Sequence, residues 1–147
     1  YLFASHIPVS ENPSQEKTDA IVVLTGGASR VSEGLSLLEK GVAQKLFISG
    51  VYRGVDVQAL LRLAQRAPGD LECCIALGYA ADSTRGNAEE TTAWIAPAGI
   101  RLVPHPVFPA GFYPENWWRW RGSARLAISE YHKYIIARIG TAGQVLR

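Results

Sequence analysis

At 147 residues, with 48% hydrophobic and 19% charged side chains, the chain has the composition of one ordinary globular domain, large enough to bury a core without staples. A formal net charge of +2 and the lack of any block of like charge argue against nucleic acid as a partner. No apolar run approaches the ~20 residues that a membrane-spanning helix needs, and Tyr1-Leu2-Phe3-Ala4 is too short to be a signal peptide. Because the chain starts on Tyr rather than Met, the expectation is that a leader or anchor precedes it.

Residues 1–18, with Pro8, Pro13 and alternating charges, read as an extended lead-in to one domain over 19–147. The run Ala20 to Leu24 carries three β-branched residues without polar interruption, which suits a strand buried on both faces of a parallel sheet. Thr25-Gly26-Gly27 follows. Two residues without Cβ allow a ligand to approach backbone N–H groups, and Ser29 is placed to cap a helix from Arg30 to residue 40, with Gly41 as its C-terminal stop. The first turn of that helix favours an anion, and Arg30 adds a charge that forks onto phosphate or carboxylate.

Lys45 to Gly50 repeats the pattern: a short apolar strand ending in Ser49-Gly50. Asp56 can cap a helix whose apolar face is Val57, Leu60, Leu61 and Ala64, stopped by Pro68-Gly69. Cys73 to Leu77 supplies a third strand, in which the adjacent cysteines point to opposite faces as buried thiols rather than a routine disulfide. Thr84 is the expected cap of a helix running to Pro97, and Ile100 to Val103 is a fourth strand candidate. Pro104-His105-Pro106 continues as extended chain, giving His105 a surface or packing role. The last helix shows Ile128, Tyr131, Ile135 and Ile139 on one face.

The fold class expected is α/β: a three-layer Rossmann-like domain with a mostly parallel central sheet and helices on both faces. In such a sheet ligands bind beyond the carboxyl ends of the strands, so Thr25-Gly26-Gly27, Ser49-Gly50 and the loop leading to Thr84 and Asn87 should line one cleft. Arg30, Ser49, Thr84 and Asn87 together would then clamp a phosphate or pyrophosphate. Glu89 and Glu90 are weak candidates for a general base, since acidic residues are common in first turns. No metal-ligand spacing, Walker loop or catalytic triad pattern is present.

In these pieces the chain resembles the bacterial domain-of-unknown-function proteins typified by SanA, ElyC and YdcF. The resemblance rests on Asp19-Ala-Ile-Val-Val-Leu-Thr-Gly-Gly27 with Arg30, on Leu46-Phe-Ile-Ser-Gly50, and on Thr84-x-x-Asn87-Ala88 with the polar positions beside Glu90. It implies work in envelope biogenesis on peptidoglycan or its lipid carrier, with a phosphorylated small molecule or lipid-linked precursor as ligand. It also implies a domain in the periplasm, tethered to the inner membrane by a preceding segment, with a cytoplasmic location as the alternative. S-adenosylmethionine binding, reported for some members, makes a non-catalytic nucleotide-binding module the rival reading. One departure stands out: the family carries a His- and Arg-bearing crossover after its fourth strand, whereas this chain passes straight to Pro104. The expectation is that a stretch between Ala96 and Pro104 is missing from the numbering.

Trp117, Trp118, Arg119, Trp120 and Arg121 admit two readings: a flap packed on the sheet, or an interfacial belt seating the domain on anionic lipid.

Overall fold

The structure is a computed structural model that describes residues 16–142 except 27, 68, 70, 96–100 and 110. The chain divides into two compact units, Pro13–Val107 and a second that includes Phe108–Arg147. The first is an α/β unit built on a parallel sheet in the order β1-β2-β3, comprising β1 (Ile21–Leu24), β2 (Leu46–Ser49) and β3 (Ile75–Leu77). Register runs from Ile21 opposite Leu46 to Leu24 opposite Ser49, and from Leu46 opposite Ile75 to Ile48 opposite Leu77.

Alternation along β2 sorts the layers. Leu46 and Ile48 enter the main core with Leu35 and Leu38 of α1 (Ala28–Glu39) and Leu60 and Leu61 of α2 (Val57–Leu63). Phe47 and Ser49 point the other way, onto α3 (Thr84–Ile95): Phe47 stacks on Trp94 with ring centroids 4.8 Å apart, and Ser49 bonds Asn87 and Glu90. Helices therefore cover both faces of a parallel sheet, the three-layer α/β class the sequence predicts.

Helix ends follow local chemistry. Asp56 caps α2, its Oδ1 accepting the Ala59 N–H at 2.6 Å. Gly41 ends α1 at φ +68°, its N–H reaching the Leu38 carbonyl while that of Val42 reaches Leu37, the paired bonds of a Schellman turn. The same turn ends α2 at Leu63, with Gln65 at φ +56° in the glycine position, so the helix stops before Pro68-Gly69. Two caps shift. α1 begins at Ala28, which puts Ser29 inside the first turn, and α3 is capped by Ser83, whose Oγ accepts the Gly86 N–H at 3.1 Å, leaving Thr84 as the first helical residue.

Two strand assignments change. Cys73 and Cys74 lie in a 3-10 turn, Glu72–Cys74, ahead of β3, where the two side chains turn the same way and form a disulfide between neighbours; Cys73 is exposed. Residues 101–103 join no strand, Leu102 is 78% exposed, and Arg101 pairs with Glu16; Ile100 lies outside the described residues, as does most of the stretch between Ala96 and Pro104. The lead-in up to residue 15 also lies outside them. His105 takes a packing position, Nε2 3.4 Å from Glu33 Oε1.

The second unit carries a kinked 3-10 segment, Pro114–Arg119, and α4 (Arg121–Ala142). Its buried anchor is Ser123, whose hydroxyl accepts the Tyr113 N–H at 3.1 Å and reaches the Gly111 carbonyl at 3.5 Å. Ala127, one turn on, is also buried, whereas Ile128 and Tyr131 are exposed. Near the start of α4 the inward side is thus Ser123 and Ala127 rather than Ile128 and Tyr131, whereas Ile135 further on is half-buried. Small side chains let the helix lie close to the preceding loop, which the larger ones would prevent. Ile139 lies among residues whose side chains are not described.

Candidate functional site

The carboxyl ends of β1 and β2 and the first turns of α3 meet in one polar cluster. Thr25 N–H donates to the Ser49 carbonyl at 3.1 Å, and Thr25 Oγ1 donates to the Gly50 carbonyl at 2.8 Å, tying the first strand end to the second. Ser49, fully buried, carries one hydroxyl proton, shared between Glu90 Oε2 at 2.6 Å and Asn87 Oδ1 at 2.9 Å. The shorter contact is to the charged acceptor and takes most of it.

Glu90 is the hub. Its Oε2 also accepts the Gly50 N–H at 3.0 Å, and its Oε1 accepts the Ala80 N–H at 2.7 Å, so one carboxylate joins the ends of β2, β3 and α3. Partial burial pushes its pKa up, but the Ser49 hydroxyl and the Ala80, Gly50 and Ala81 N–H groups outweigh that and hold it below the usual carboxylate range. Gly50 sits at φ +74°, and a Cβ there would lie 2.6 Å from both Asn87 Oδ1 and Thr25 Oγ1, so the junction admits no side chain.

Of the residues the sequence singles out, Thr25, Ser49, Gly50, Asn87 and Glu90 are therefore brought together. Arg30 and Thr84 are exposed outside the cluster's hydrogen bonds; Arg30 makes one long bond, 3.4 Å, to the Leu24 carbonyl at the end of β1. Gly26 stands at φ +113° beside it, and Gly27 lies outside the described residues. Glu89 points away, paired along the helix with Arg85 at 2.9 Å. Ser49 and Gly50 donate to Glu90, while Arg30 and Thr84 stand outside that network. Among the described residues no group of three His, Cys, Asp or Glu side chains is placed to hold a metal.

Beside the cluster, on the α3 side of the sheet, opens a cleft of about 730 Å³ whose walls include Arg53, Tyr79, Glu90 and the stacked Phe47 and Trp94. The cleft is shallow and open to solvent. The sequence holds a signal for it: Asn87, Glu90 and Trp94 recur at helical spacing and so share a face. Tyr79 donates its hydroxyl to the Val55 carbonyl at 2.9 Å, bracing one loop of the cleft against another.

No protein-family profile, curated protein or solved structure matches this chain. Among the described residues no helix is long and apolar enough to cross a membrane.

Proposed function

We propose that this is a SanA/ElyC/YdcF-like protein of bacterial cell-envelope biogenesis. On this reading it binds a phosphorylated ligand, a lipid-carrier or peptidoglycan precursor, at the strand ends, and works at the periplasmic side of the inner membrane. The supporting observation is that three short motifs separated in the chain, ending at Thr25, at Ser49-Gly50 and at Asn87 with Glu90, meet in one hydrogen-bonded junction. The junction fixes the backbone. The first turn of α1 then presents its N–H groups with no acidic side chain of its own to claim them, and Arg30 stands exposed at that turn. Glu90 is a holding group in this reading, because both its oxygens are occupied by donors.

The test is thermal unfolding of the full chain with inorganic pyrophosphate and with a short polyprenyl pyrophosphate. Ligand at a hundredfold excess over Kd stabilises by about 2.7 kcal/mol. Arg30→Ala is expected to abolish that shift while leaving the ligand-free Tm unchanged; a shift retained in the variant removes Arg30 from the site, and no shift with either compound overturns the reading. The aromatic wall of the cleft favours a second reading, a module that holds a nucleoside-bearing ligand such as S-adenosylmethionine without turnover. Calorimetric titration with that compound separates the two, since saturable binding that Trp94→Ala weakens and Arg30→Ala does not supports the module.

A further inference from the structure

Between Glu115 and Glu130 the chain contains Arg119, Arg121 and Arg125 and no acidic residue. Among the described residues none of these three arginines has an ion-pair partner, whereas Glu130 is paired with Lys133 at 2.6 Å. Trp118 and Trp120 are 62% and 53% exposed, so neither indole is core. On α4, Arg121, Arg125 and Ile128 recur at i, i+4 and i+7 and stand exposed on one face of the helix. That stripe is opposite the buried Ser123 and Ala127, so it is the outward face of the helix.

We propose that this surface docks on an anionic lipid bilayer, the phosphate of a headgroup seated between Arg121 and Arg125 and the indoles of Trp118 and Trp120 entering the headgroup boundary. The argument is complementarity of two kinds. Unpaired guanidinium groups bind phosphate in bidentate fashion, and indole is the side chain that partitions best where one end of a group is apolar and the other wet. Ile128, on the same helix face as Arg121 and Arg125, adds apolar area to the contact. The proposal is independent of the strand-end site, so either can fail alone.

The experiment is co-sedimentation of the full chain with phosphatidylcholine vesicles and with vesicles containing phosphatidylglycerol at three parts in ten, followed also by tryptophan emission. Binding to the anionic vesicles with a blue-shifted emission is expected, falling as salt is raised. Each arginine near such a surface contributes about fivefold to partitioning, so Arg121→Ala with Arg125→Ala should lose about thirtyfold. Both are exposed, and circular dichroism checks that the fold is kept. Trp118→Ala with Trp120→Ala should lose the emission shift and weaken binding at high salt as well as low. Equal binding to both vesicle types, binding indifferent to the arginine pair and to salt, or no binding at all would overturn the proposal. Self-association through the same tryptophans without vesicle binding, seen by light scattering, would overturn it in favour of a second copy of this chain.

Discussion

At the strand ends of the α/β unit, polar groups are turned inward and satisfy one another, whereas between Tyr113 and Ile128 the arginines are turned outward and left open. Glu90 has donors on both oxygens; Arg119, Arg121 and Arg125 have no acidic partner among the described residues. The two regions use polar chemistry for different ends. A closed network fixes the backbone of three loops at once, because removing any member leaves the others desolvated and unpaired. The open row of cations makes no ion pair among the described residues and keeps its charge for a partner.

The largest expected effect comes from opening the closed region. Glu90→Ala strands the Gly50 N–H in a part-buried junction, leaves the Ser49 hydroxyl only its 2.9 Å contact to Asn87 and gives the exposed Ala80 N–H to water, and should cost about 3 kcal/mol in urea unfolding. Because the folded-state pKa of Glu90 is lowered, its stabilisation is fully present above the unfolded carboxylate value and is lost as pH falls through the folded one. The wild type should therefore lose stability on the acid side more steeply than Glu90→Gln. Parallel acid limbs for the two would mean that Glu90 is solvated and the junction is not closed.

The second unit has a smaller closed element of its own, and it calibrates the comparison. Ser123→Ala leaves the Tyr113 N–H without its acceptor beside the start of α4, a loss of about 1–2 kcal/mol. If unfolding followed by Trp emission moves by that amount while the acid limb set by Glu90 stays where it is, the two regions are energetically separate. A loss as large as that of Glu90→Ala would show that one hydroxyl organises the whole aromatic segment.

The fold was legible where local chemistry has one solution. Asp56 before an apolar helical stripe is a cap, Gly41 after one is a stop, and both act so. It was not legible where several residues compete for one role. Asp82-Ser83-Thr84 offers three cap candidates in a row, and only the backbone path selects Ser83. Gln65 ends α2 in a left-handed conformation that costs a side chain about 1 kcal/mol, so nothing in its identity announces the stop. The strand ends were legible as a group, but the direction of Glu90 was not. Leu46-Phe47-Ile48 is apolar on both faces, so the pattern alone does not say which face carries Ser49 toward α3. Residues 101–103 show the opposite error: Ile100 to Val103 reads as a strand from its branched residues, although no neighbouring strand lies beside 101–103 among the described residues.

The smallest expected effect concerns the covalent link at the entrance to β3. Cys73 and Cys74 are adjacent, so their disulfide closes almost no chain and removes little entropy from the unfolded state, in contrast to a bridge across a long loop. Replacing both by Ser should change stability by no more than about 1 kcal/mol. A thiol assay should find neither sulfur reactive before reduction and both after it, and the acid limb assigned to Glu90 should be the same in both states. A loss approaching that of Glu90→Ala would mean that the turn Glu72–Cys74 sets the register of β3 against β2, and through it the position of the Ala80 N–H that Glu90 holds. The closed region would then extend along β3 to the disulfide.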